Sequence, residues 1–124
     1  MPNIDRAYVM IALLLLVGGE LLGFYMGATN QLSLRDTHVA LVLPGFVVLT
    51  LYGVIYRLWP VLKDSALAKA QFWCAAIGAF GLVIAAYMIA IGAGIVAAVI
   101  ASLLTIVGAM LMAWLFWTKV GNLN

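Results

Sequence analysis

The sequence has very little charge. Six Lys and Arg and four Asp and Glu make 8% of its 124 residues charged, against roughly 25% in a soluble domain. A water-soluble fold of this length would lack the polar side chains to cover its surface. The net charge of +2 is small, and it is spread along the chain. That argues against nucleic-acid binding, which needs many phosphate-neutralising cations. Cysteine occurs once, as Cys74, so no intrachain disulfide forms and the redox compartment is unmarked. Histidine also occurs once, as His38. The six methionines form no Met-x-x-Met cluster, which sets copper transport aside. There is no tandem repeat, low-complexity tract or lipidation signal, and 1–124 reads as one domain.

What the chain has in quantity is apolar surface, with 68% hydrophobic residues. A helix needs about 20 consecutive apolar residues to cross a hydrocarbon core about 30 Å thick. Four stretches qualify: 7–28, 34–59, 66–91 and 94–118. Transmembrane strands alternate apolar and polar residues, and these runs do not. The pattern predicts an all-α integral membrane protein, a four-helix up-down-up-down bundle with neighbours crossing at about 20°. The first run is too long for the h-region of a signal peptide, and no A-x-A-like site follows it. It therefore counts as a span. Arg6, Arg57, Lys63, Lys69 and Lys119 fall on the side shared by both ends of the chain and the second loop, with Arg35 alone opposite. The positive-inside rule then places both termini in the cytoplasm of a bacterium, with the bundle in its inner membrane.

Packing surfaces show as small-residue stripes. Gly19, Gly23 and Gly27 recur at i, i+4 and i+8 in the first span, a spacing that lets another backbone approach closely. The fourth span has Ala98, Ser102, Thr105 and Ala109 on one face, with Gly108 beside it. Two such stripes exceed what one bundle consumes, so a homo-oligomer, with a dimer as the simplest case, is expected. Trp59, Trp73, Trp114 and Trp117 lie near the cytoplasmic ends, where aromatic belts form.

Polar groups inside the spans are few, and each costs at least about 2.5 kcal/mol if charged. Glu20 lies about 12 Å from the outer end of the first span, and His38 about 6 Å from that of the second. Arg35 and Asp36 precede His38 at the outer edge. Helix rotation is open at this stage, so Glu20 and His38 share a cavity or face apart. Glu20 reads as a neutral acid bonded to a neighbouring helix, a proton-relay group or a polar lining of a ligand pocket. His38 begins a stripe through Leu41, Gly45, Leu49, Tyr52 and Tyr56. A glycine two turns on leaves flat space beside an imidazole, as a planar macrocycle requires. Neutral imidazole is a common axial ligand to haem iron, and Arg35 is placed to pair with a propionate. The plainer reading is a polar residue bonded to a loop at the interface. Pro44 in the same span frees the Ala40 carbonyl and predicts a kink.

The segment 34–60 holds His38, then Gly45 and Phe46, then Gly53, Tyr56 and a closing Pro60. It resembles the second helix of haem–copper oxidase subunit I. The stretch Ala-Lys-Ala-Gln-Phe-Trp at 68–73 is similar to the start of that subunit's third helix, and Gly19 to Gly27 to part of its first. The likeness covers about residues 7–91 and is shared with small stand-alone oxidase subunit I-like membrane proteins. It implies haem b with His38 as the iron ligand. The oxidases take their second axial ligand and copper ligands from helices this chain lacks, so an oxygen-reducing haem–copper centre is excluded. Small relatives often carry His-x-His, and here the second position is Ala40. A second ligand would come from His38 of another copy, from Met88 or Met26 at similar depth, or from water. Tyr87 is placed to approach the same region. Styrene oxide isomerase is similar in architecture and in an Arg-x-x-His-like segment, Arg35 to His38 here, and its catalytic residues are not carried over. The resemblance implies a small haem protein for electron transfer, ligand sensing or Lewis-acid chemistry. The other classes are an accessory subunit packing against a larger complex and a small proton-coupled transporter.

Overall fold

A computed structural model describes residues 1–122. Four long apolar helices carry the fold: α1 (Ile4–Thr29), α2 (Arg35–Leu58), α3 (Ala66–Ala90) and α4 (Val96–Lys119). No strand occurs among the described residues. Each helix is long and apolar enough to cross a bilayer, and the chain is a multi-pass membrane protein with a helical bundle.

The ends have local causes. Asn30 closes α1 in the left-handed region, at φ 52°, which Asn tolerates better than most residues. The Ser65 hydroxyl accepts from Leu67 N and caps α3. Gly92 and Gly94 turn the chain into α4 at φ 78° and 93°, where only glycine is unstrained. Pro44 acts as expected in kind. It has no N–H and its ring crowds the Ala40 carbonyl, and the backbone passes it by widening into a π-helical segment, Leu41–Val48.

Two antiparallel pairs make the bundle. A Cβ on Gly19 would lie 2.8 Å from Val42 Cγ2, and one on Gly53 2.9 Å from Val9 Cγ2. These contacts run α1 against α2 in opposite directions. On the other side, a Cβ on Gly81 would meet Ala101 Cβ at 2.9 Å, and one on Gly108 would meet Ala75 N at 3.1 Å. The expected α4 stripe holds in part: Thr105 and Gly108 pack on α3, and the buried face is turned from Ala109 toward Ala101 and Met112. Ala101, Gly108, Met112 and Leu115 are buried, while Ala109 is exposed.

Aromatic side chains join the pairs. Tyr8 of α1 stacks on Tyr56 at 6.0 Å between ring centroids and meets the edge of Phe72 of α3 at 4.9 Å. Trp59 packs edge-on against Phe116 at 4.9 Å, so it serves packing within the bundle. Trp73, Trp114 and Trp117 are exposed, as anchors at a membrane boundary would be.

An ion pair ties the start of α1 to the loop before α3. Asp5 is buried, with Lys63 Nζ at 2.8 Å and Arg57 Nη1 at 3.5 Å. Lys63 also donates to the Pro2 carbonyl at 3.4 Å. Lys63→Met leaves a buried carboxylate facing only an exposed guanidinium. At this wet edge of the bundle the expected loss is about 1–3 kcal/mol, below the cost in a dry interior. Arg57→Gln removes an exposed partner and is expected to cost under about 1 kcal/mol. Thermal unfolding in detergent checks this, and equal losses for the two variants would contradict it.

Candidate functional site

His38 is set by the glycine stripe of α1. Its Nδ1 lies 2.8 Å from the Gly19 carbonyl oxygen. A carbonyl only accepts, so Nδ1 carries the proton and donates. In the neutral ring the free lone pair is then on Nε2. Gly23, one turn on, makes room for the ring, since a Cβ there would sit 2.9 Å from His38 Cε1. A Cβ on Gly27 would meet nothing within 4 Å. The three glycines thus do three jobs: Gly19 packs and accepts, Gly23 clears the imidazole, and Gly27 borders open space.

The other expected site residues are placed less favourably. Gly45 does not face an open slot. It is buried, and a Cβ there would be 3.0 Å from Leu15 Cδ1 and 3.2 Å from the Ala40 carbonyl. The space beside this glycine is filled by α1, which overturns the reasoning that reserved it for a macrocycle. Met26 is buried, Met88 half-buried, and Tyr87 and Arg35 exposed. Among the described residues no hydrogen bond joins His38 to Arg35, Tyr87 or Glu20. Glu20 is exposed. It follows Gly19 by one position and precedes Gly23 by three, so it points about 60–100° away from the two glycines that hold His38. His38 is half-buried against α1, and neither residue lines the clefts described below. Thr37 is buried beside His38, and its hydroxyl has no partner among the described residues.

No group of three or more His, Cys, Asp or Glu able to hold a metal occurs among the described residues. Among the described residues, clefts of about 670, 380 and 650 Å³ indent the bundle, and His38 lines none of these three. The fit to haem is therefore partial. One imidazole is oriented as an axial ligand would be, through a carbonyl on its far nitrogen. An enclosed slot beside it, supplied by this chain alone, is not among those clefts.

A second polar cluster lies deeper, around a residue that hydropathy alone does not mark as a site. Gln71 is fully buried in α3. Its Oε1 accepts from Tyr8 Oη at 2.6 Å and from Tyr56 Oη at 3.1 Å. Its Nε2 donates to the Gly108 carbonyl at 3.3 Å. One amide thus touches all four helices. Gln71 is the one glutamine inside the four spans, and that isolation was the available signal. The arrangement is a structural knot, since its side-chain polar atoms are partnered and none of its residues lines the three clefts above.

Cys74 is half-buried in α3. Comparison with protein-family models, with curated proteins and with solved structures finds no match for this chain.

Proposed function

We propose that this protein is a small haem-binding membrane protein, in which Nε2 of His38 would hold the iron. The observation that carries the reading is the Nδ1–H bond to the Gly19 carbonyl. Metal-ligating histidines characteristically donate their other ring N–H to such a group, which fixes tautomer and orientation and raises basicity. Gly23 supports it by leaving room for the ring. Bound haem b would supply redox, ligand-binding or Lewis-acid chemistry at the iron.

The chain's own residues then have defined tasks. Gly19 holds the imidazole, and Arg35, three residues earlier on α2, presents an exposed guanidinium for a propionate. Met26 is the weakest second ligand, because its side chain is buried in the packing of α1. Met88, His38 of a second copy, or water remain in the reading, with Tyr87 exposed on α3. A second copy also answers the exposure of Glu20, whose carboxyl sits on an apolar face beside Leu21, 67% exposed, and Phe24, 78% exposed. A carboxyl facing lipid is costly, and a covering chain removes that cost. The reading places the bundle up-down-up-down in a bacterial inner membrane with both termini cytoplasmic.

The same Glu20 face favours a second reading, an accessory subunit that packs against a redox or other complex partner without haem. An absorption spectrum of the detergent-purified protein, oxidised and reduced, separates the two. A Soret band is expected in the parent and lost in His38→Ala, and Gly23→Leu is expected to reduce it by displacing the ring. No Soret band in the parent, even with haem supplied during expression, would leave the accessory subunit as the better account.

A further inference from the structure

The geometry points to a seat for one anionic phospholipid in the cleft between α1 and α2, independent of any haem at His38. This cleft of about 670 Å³ is lined by Asp5, Arg6 and Arg57 at one end and by apolar side chains up to Val17. From Asp5 to Val17 is twelve residues of helix, or about 18 Å, close to the depth of one leaflet at about 15 Å. Gly53 lies at its floor, where α1 and α2 approach closely enough that a Cβ would collide with Val9 Cγ2 at 2.9 Å and the Asp5 carbonyl at 3.1 Å. Val9, Leu13, Val17 and Val54 make apolar walls.

Charge decides the occupant. The Asp5 carboxylate is only 6% exposed and is compensated by Lys63 at 2.8 Å. The Arg57 side chain is 72% exposed, and Arg6 is also exposed. Asp5 and Lys63 cancel, so the two guanidiniums at the mouth of the apolar slot carry the net positive charge, although Arg57 also lies 3.5 Å from Asp5. Guanidinium forks match phosphate oxygens, and the slot below them has the length and polarity of an acyl chain. A zwitterionic lipid would place its own cation among these arginines, so an anionic headgroup is selected.

Native mass spectrometry of the protein, released from detergent containing equal phosphatidylglycerol and phosphatidylcholine, tests this. Phosphatidylglycerol should be retained in preference. Arg6→Gln and Arg57→Gln should each lower that preference about fivefold, and Lys69→Gln, a basic residue outside the cleft, should leave it unchanged. Val54→Trp fills the slot while keeping both arginines, and should lower retention of both lipids. Excess inorganic phosphate should leave the lipid bound. The proposal is overturned by equal retention of the two lipids, by an equal loss in Lys69→Gln, by full retention in Val54→Trp, or by displacement with inorganic phosphate.

Discussion

Replacing Gln71 with leucine is expected to destabilise the bundle by about 2–4 kcal/mol, more than removing either tyrosine hydroxyl. The amide accepts from two fully buried phenols, at 2.6 Å from Tyr8 and 3.1 Å from Tyr56. Each buried hydroxyl left without a partner costs about 1–3 kcal/mol. The hydrogen bonds themselves are worth less, since side-chain bonds within membrane bundles average about 0.6 kcal/mol. The orphaned groups, not the lost bonds, therefore dominate. Tyr8→Phe removes a donor and leaves Gln71 still satisfied by Tyr56, so it is expected to cost about 1 kcal/mol. The combination of Gln71→Leu with Tyr8→Phe and Tyr56→Phe strands no hydroxyl and should recover much of the loss. Reversible unfolding in mixed micelles measures all of these. A Gln71→Leu variant within about 0.5 kcal/mol of the parent, below the usual cost of one stranded group, would show that the tyrosines find other partners.

Glycines of similar appearance should respond with opposite signs. A Cβ on Gly78 would lie 2.7 Å from Thr105 Cγ2 and 2.9 Å from the Thr105 backbone nitrogen. A side chain can turn aside, but the backbone of α4 cannot move without separating it from α3. Gly78→Ala is therefore expected to lower stability by about 2–3 kcal/mol through overpacking. Gly27 closes the regular stripe of α1, yet a Cβ there would meet nothing within 4 Å. Gly27→Ala gains the helical preference of alanine and should raise stability by up to about 1 kcal/mol. The same unfolding measurement reads both. Destabilisation by Gly27→Ala to the degree of Gly78→Ala would mean that a second chain occupies the space beside Gly27.

The four helices were legible from composition and hydropathy. Expected spans of 7–28, 34–59, 66–91 and 94–118 became Ile4–Thr29, Arg35–Leu58, Ala66–Ala90 and Val96–Lys119. Lipid imposes that length, and a run of apolar residues records it directly. The helical break at Pro44 was equally readable, because a missing N–H acts on its own helix. Which face each helix turns inward was not. These helices are apolar on nearly every side, so no polar face marks the outside. That is why the α4 stripe holds only in part, why Gly45 was assigned an open slot that Leu15 fills, and why hydropathy alone does not mark Gln71. His38 was singled out by being alone, but its bond to Gly19 follows from the rotation of α1 against α2. Rotation is settled by contacts between residues far apart in the chain, Gly19 with Val42 and Gly78 with Thr105, and only the folded bundle brings those together.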